Sequence, residues 1–177
     1  AIGALTTKAI EGYAAQEQLV GGVETLFKTS SDTVVGYAND AYKTAGMSAN
    51  EYMETVTSFS ASLLASMNND TAAAAEKANV AITDMSDNAN KMGTDISLIQ
   101  NAYNGFAKQN YTMLDNLKLG YGGTKEEMQR LLDDASKLSG IKYDISSYSD
   151  VVDAIHVVQT EMGITGTTAK EASTTIE

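Results

Sequence analysis

Apolar residues return every three or four positions along almost the whole chain, the spacing that lays them on one face of a helix. The pattern predicts a first helix over Ala4–Phe27, with Ile10, Tyr13, Leu19, Val23 and Phe27 facing a core. Gly21-Gly22 interrupts it, and a break or kink is expected there, because glycine in a helix interior costs about 1 kcal/mol relative to alanine. A second helix is expected over Ser31–Thr44, capped by Ser31 or Asp32 and ended by Gly46. Ser48-Ala-Asn-Glu51 reads as a capping box, in which the serine side chain and the glutamate take each other's free backbone N–H groups. Behind it, Tyr52, Val56, Phe59, Leu63 and Met67 share a face. Asn68-Asn-Asp70 ends that helix and caps the next, which runs from Thr71 to about Lys91 with Ala78, Ala81, Ile82, Met85, Ala89 and Met92 inward, and Gly93 stops it.

Thr94 or Asp95 then starts a helix that turns Ile96, Ile99, Tyr103 and Phe106 inward, followed by a short helical turn around Tyr111–Leu117. Gly120-Tyr-Gly-Gly123 is the strongest loop signal, and the segment 119–124 is a candidate hinge. Thr124-Lys-Glu-Glu127 reads as a second capping box, ahead of an apolar stripe of Met128, Leu131, Leu132, Ala135 and Leu138 that Gly140 closes. Ile141–Ile145 alternates apolar and polar residues and could be extended. Tyr148, Val151, Val152, Ile155, Val158 and Met162 line a further helix, Gly163 to Gly166 forms a turn, and Thr168-Ala-Lys-Glu171 reads as a third capping box. Starts and stops this frequent argue for a folded domain and against one continuous coiled-coil rod. The fold class expected is all-α: a single domain over 1–177, a bundle of about seven to nine short capped helices with no substantial sheet. The chain lacks an initiator methionine and ends inside an expected helix, so it reads as a piece excised from a longer protein.

Composition narrows this picture. The 177 residues contain no proline, cysteine or tryptophan. Proline breaks helix interiors, so its absence fits helices joined by glycine turns, and no disulfide or cysteine-based zinc site can form. No apolar run approaches the ~18 residues of a membrane span. Asp and Glu total 23 against 12 Lys and Arg, a formal net charge of −11. That balance opposes binding to a phosphate backbone, so no sequence-specific nucleic acid is expected as a partner.

Reactive chemistry is sparse. The only histidine, His156, sits at the border of an apolar helix face and reads as a packed or surface residue. Serines are plentiful, but no GxSxG elbow is present. Asp84 with Asp87, and Asp133 with Asp134, could be imagined as metal pairs, but hard cations want more oxygen ligands, and solvated helix surface is the expectation for both. Gly120-Tyr-Gly-Gly-Thr-Lys125 departs from the phosphate loop, which needs lysine directly after its last glycine. Tyr103, Phe106, Tyr111 and Tyr121 lie close in sequence with only Lys108 and Lys118 among them, which suits core packing better than base stacking. No catalytic, cofactor-binding or metal-ligating residue is singled out, no cofactor is implied, and an enzyme is not expected.

Several long words carry more information than any of these motifs: QLVGGVETLFK, SANEYMETVTSFSASLL, DMSDNANKMGTDI, GFAKQNYTMLDNLKLGYGGTKEEMQRLL and VVQTEMGITGTTAKEAS. In this order, from about Gln18 onward, they resemble tail tape measure proteins of long-tailed phages and prophages of Gram-positive bacteria. The resemblance implies a structural and assembly protein that sets tail length and is released during genome ejection. It implies the phage tail tube protein and tail assembly chaperones as partners, with self-association and contact with the host membrane at ejection as further options. It also implies a place in the tail lumen of the virion and, during assembly, in the host cytoplasm. No catalytic residue carries over from the matched words. A membrane-active helical factor acting at host entry is the alternative, and a cell-wall hydrolase a more distant one.

Overall fold

The computed structural model describes the backbone of residues 2–175 and the side chains of residues 12–174. Its elements, in order, are α1 (Ile2–Phe27), a 3-10 turn (Lys28–Ser30), α2 (Ser31–Thr44), α3 (Ala49–Ser66), α4 (Thr71–Met92) and α5 (Ile96–Ala107). A second 3-10 turn (Leu114–Leu117), α6 (Lys125–Ser139), α7 (Tyr148–Glu161) and α8 (Thr167–Thr175) complete it. The fold is an all-α bundle, and no strand occurs among the described residues. The stretch 141–145, which could have been extended, is loop and turn without a ladder partner.

The helix ends are set largely by the residues that the sequence offers. Ser48 accepts the Glu51 N–H while the Glu51 carboxylate accepts the Ser48 N–H, so the first capping box forms in full. Asp70 and Asp95 each accept an N–H of the helix they precede. Asn68 and Asn69 both take positive φ between α3 and α4, a conformation asparagine tolerates better than most residues. Gly93 and Gly140 close α4 and α6 in the left-handed region.

Other expectations fail for identifiable reasons. Gly21-Gly22 does not break α1, which continues to Phe27: the cost of two glycines is outweighed where Val23 and Phe27 are fully buried one turn on. Tyr13 is 65% exposed rather than core; residues 12–18 are exposed all round, so this part of α1 packs on nothing among the described residues. The side chain of Ile10 lies outside the described residues. Neither Ser31 nor Asp32 caps α2, which follows directly on the 3-10 turn with Ser30 at its cap position, where the Ser30 hydroxyl bonds Thr71 and not the helix backbone. Thr124 accepts the Glu127 N–H, but the Glu127 carboxylate turns to the Gly122 N–H and to Arg130, so the second box is only half made. Leu138 and Met162, each at the end of its stripe, are about half exposed, and Met67, Met92 and Ile96 are only partly buried.

α4 is the central element. It packs against α1, α2, α3, α5, α7 and α8, and α6 joins the body chiefly through α7. The core includes Phe27, Tyr52, Phe59, Leu63, Ile82, Met85 and, beyond α4, Ile99, Tyr103, Leu131 and Ile155. Burying one such side chain contributes roughly 1.5–3 kcal/mol. Tyr103, Phe106 and Tyr111 pack in succession, with ring centroids 5.8 and 6.3 Å apart. The loop before α6 is tied down: Arg130 donates to the Gly120 carbonyl (2.8 Å) and lies over the Tyr121 ring, while the Tyr121 hydroxyl donates to Asp134 (2.6 Å). Gly123 passes so close to Thr112 that a Cβ would stand 2.2 Å from its carbonyl oxygen.

Candidate functional site

The unusual chemistry of this protein lies in the second half of α4. Residues 84–89, Asp-Met-Ser-Asp-Asn-Ala, are buried without interruption. Six successive helical positions point in every direction around the axis, so this length of helix is enclosed on all sides. Yet four of the six side chains are polar. Buried polar groups are tolerated only when bonded, and the bonds here run to elements far away in sequence.

Asp84, 1% exposed, meets His156 of α7, whose Nδ1 is 2.9 and 3.0 Å from the two carboxylate oxygens. Hydrogen bonding to Asp84 raises the His156 pKa above its ordinary value, against the opposing effect of the ring's own partial burial. Burial raises the Asp84 carboxyl, and the bond to His156 only partly offsets that. One turn on, the fully buried Asp87 accepts the N–H groups of Gly166 (2.8 Å) and Thr168 (2.9 Å). Asp87 thereby caps α8 from another helix. The expected third capping box is displaced: Thr168 is the second residue of α8, and its hydroxyl accepts from Asn90. Asn88 donates to the Leu117 carbonyl (3.0 Å) and to Gln159 Oε1 (2.7 Å), and Gln159 donates to the Asp84 carbonyl (3.2 Å). A less buried ion pair, Lys77 with Asp153, also joins α4 to α7.

Three polar atoms in this region find no partner among the described residues: Ser86 Oγ, Asn88 Oδ1 and the Tyr103 hydroxyl. Burial, and then the charge of Asp84, hold the Tyr103 phenol far above its usual range, so it stays neutral. An aspartate holding a histidine is half of a nucleophilic triad. Among the described residues no serine or threonine hydroxyl bonds the His156 ring; Thr160 Oγ1 donates to its backbone carbonyl instead. Nor, among the described residues, do three or more His, Asp or Glu side chains converge as a metal set. The arrangement ties α4 to α7, α8 and the second 3-10 turn, and holds a proton between Asp84 and His156.

Asp84 and Asp87 therefore correct the expectation of a solvated surface, whereas Asp133 is exposed and Asp134 half-buried as surface residues are. Sequence reasoning missed Asp87, Asn88 and Gln159 as partners. One signal was present: from Val80 to Asn90 the polar residues are all short, with no Lys, Arg or Glu. Exposed helix faces favour the long charged residues, while Asp, Asn and Ser are poorer helix formers whose short side chains bond to nearby backbone. No protein-family model, curated protein or solved structure matches this chain.

Proposed function

We propose that the chain is a folded segment of a phage tail tape measure protein, a structural and assembly protein whose parent sets tail length and leaves ahead of the genome. The observation that carries the reading is the set of long words in one order, above all GFAKQNYTMLDNLKLGYGGTKEEMQRLL. That word spans the end of α5, the second 3-10 turn, the tied loop and much of α6. Its glycines have local reasons: Gly105 and Gly123 approach the backbone of Asn110 and Thr112 too closely for an unhindered Cβ. The word is thus more than generic helix composition.

Two physical features suit the proposed role. The chain has no cysteine or proline, so neither disulfides nor slow prolyl isomerisation obstruct unfolding on passage through a narrow tube. Its net charge of −11 repels the DNA that would follow it. The tail tube protein and tail assembly chaperones are the partners this reading implies.

The test is an in-frame deletion of this segment in the phage or prophage that encodes it, with tails measured by electron microscopy. If the segment serves as extended helix, its 177 residues at 1.5 Å each shorten the tail by about 265 Å. If it stays folded, with a radius of gyration of about 16 Å, the shortening is several-fold smaller. Assembled tails of unchanged length would overturn the ruler role.

A further inference from the structure

A groove of about 490 Å³ opens beside α4, walled by α3 and α5 and closed at one end by the turn after α2. Nine of its fourteen lining residues are polar, and none is basic or aromatic. Two cross-links brace its walls: Gln100 donates to Thr55 Oγ1 and Ser58 donates to Asn104 Oδ1, both at 3.1 Å. Hydrogen-bonding capacity is left over. The side chains of Asn101 and Glu54 make no bond among the described residues, and Asn104 keeps its amide donors free. Ser86, 3% exposed and with an unpartnered hydroxyl, belongs to the same lining. Glu51 is held ionised by the Ser48 backbone N–H and hydroxyl.

The chemistry discriminates among ligands. Two glutamates without a compensating cation repel phosphate, so nucleic acid and nucleotides are poor fits. Oligosaccharides commonly stack on aromatic rings, and this lining has none. The carboxamides present a donor and an acceptor side by side, the same pair that each peptide unit presents. A peptide lying along the groove satisfies them through its main chain, and a lysine or arginine on it meets Glu54 and Glu51. We propose that the α3–α5 groove binds an extended, basic peptide segment of a partner protein. The inference stands on the groove alone and does not depend on the tape measure reading. Polar lining of this kind gives specificity more than affinity.

The experiment uses the isotopically labelled full chain and two pooled hexapeptide libraries, one with lysine fixed at the third position and one with glutamate there. Side-chain amide signals of Gln100, Asn101 and Asn104 are followed by NMR, with an N-acetylglucosamine tetramer as a third probe. The expected result is a shift of those amides by the lysine pool, at concentrations at least about tenfold below any effect of the glutamate pool. Glu54→Gln with Asn101→Ala, both on exposed or half-exposed positions, should weaken the response at least about tenfold without altering the thermal midpoint. Silence of the three amides towards both pools, equal response to both, or a response to the saccharide alone would each overturn the proposal.

Discussion

The two halves of α4 bury their inward side chains equally deeply, but with opposite materials. In the first half Ala74, Ala75, Ala78 and Ala81 are all at 0% exposure. Alanine brings helix backbones close, and its contacts are non-directional. In the second half Asp84, Asp87 and Asn88 are as deeply buried, but each has a particular donor or acceptor on a particular element. The first half says that helices pack here; the second says which helices, and in what register. A methyl group accepts a neighbour slightly displaced, whereas a carboxylate two N–H groups deep in the core does not.

The largest break in this comparison comes from Asp87→Ala. It leaves the buried Thr168 N–H without an acceptor, at a cost of roughly 1–3 kcal/mol, and the part-buried Gly166 N–H, which water can reach, at a smaller one. Urea denaturation should show a loss of about 2–4 kcal/mol, and amide exchange over residues 166–174 should become fast while α4 itself stays protected. A loss below 1 kcal/mol would mean that water replaces the carboxylate and that the cap does not place α8.

Asn88 sharpens the same point by a double substitution. Asn88→Leu orphans Gln159 Oε1 and the Leu117 carbonyl, with an expected cost of about 2–4 kcal/mol. Adding Gln159→Leu removes one of the orphans with its residue, so the pair should cost less than the sum of the singles by at least 1 kcal/mol. Strict additivity would show that the two amides act independently. On the alanine half, Ala78→Leu tests volume in place of direction. Overpacking costs about 1–3 kcal/mol, and the expected signature is a lowered midpoint with α7 and α8 still docked.

The same contrast explains what could be read in the sequence. Alanine and aliphatic stripes announce themselves by period, so the bounds of α2 emerged as Ser31–Thr44 and the inward faces of α3 and α4 were largely right. Caps that act within four residues were legible too, as at Ser48, Asp70 and Asp95. Bonds spanning more than seventy residues leave no local trace of their partners. Asp87 to Gly166 and Asp84 to His156 are of that kind: the short polar run around Asp84 signals burial but not what the buried groups bond to. Thr168-Ala-Lys-Glu171 misled for the same reason: a local pattern predicted the cap, and a distant carboxylate took it. Tyr13 failed differently, since a periodic position is buried only where another element covers it.

The smallest expected effect, and the one specific to the polar half, is a slope of stability with pH. Folding raises the pKa of His156 above 6.5, chiefly through its bond to Asp84. The folded state therefore binds that proton more tightly than the unfolded chain does. This contribution is complete below pH 6.5 and is lost as the pH climbs through the raised value. Asp84, raised from 3.8 by burial, has the same sign at lower pH. Glu51, Glu127, Asp95 and Asp144 have the opposite sign: their carboxyls are lowered by hydrogen bonds, so the stability they lend fades in acid below their unfolded values of 4.5 and 3.8. The two trends oppose each other: stability falls as the pH climbs above 6.5 through the His156 value, and the lowered carboxyls take their share away in acid. Asp153 strengthens the histidine's charge and Lys77 opposes it, each less than Asp84 does. Urea midpoints at pH 5.5, 6.5 and 8.0 should fall in that order for the natural chain, and His156→Gln should flatten the fall. A natural chain equally stable at pH 5.5 and 8.0 would mean that the Asp84–His156 pair binds its proton no more tightly than free histidine does. The polar half of α4 would then orient its neighbours by hydrogen bonding alone, with no net contribution from the buried charge.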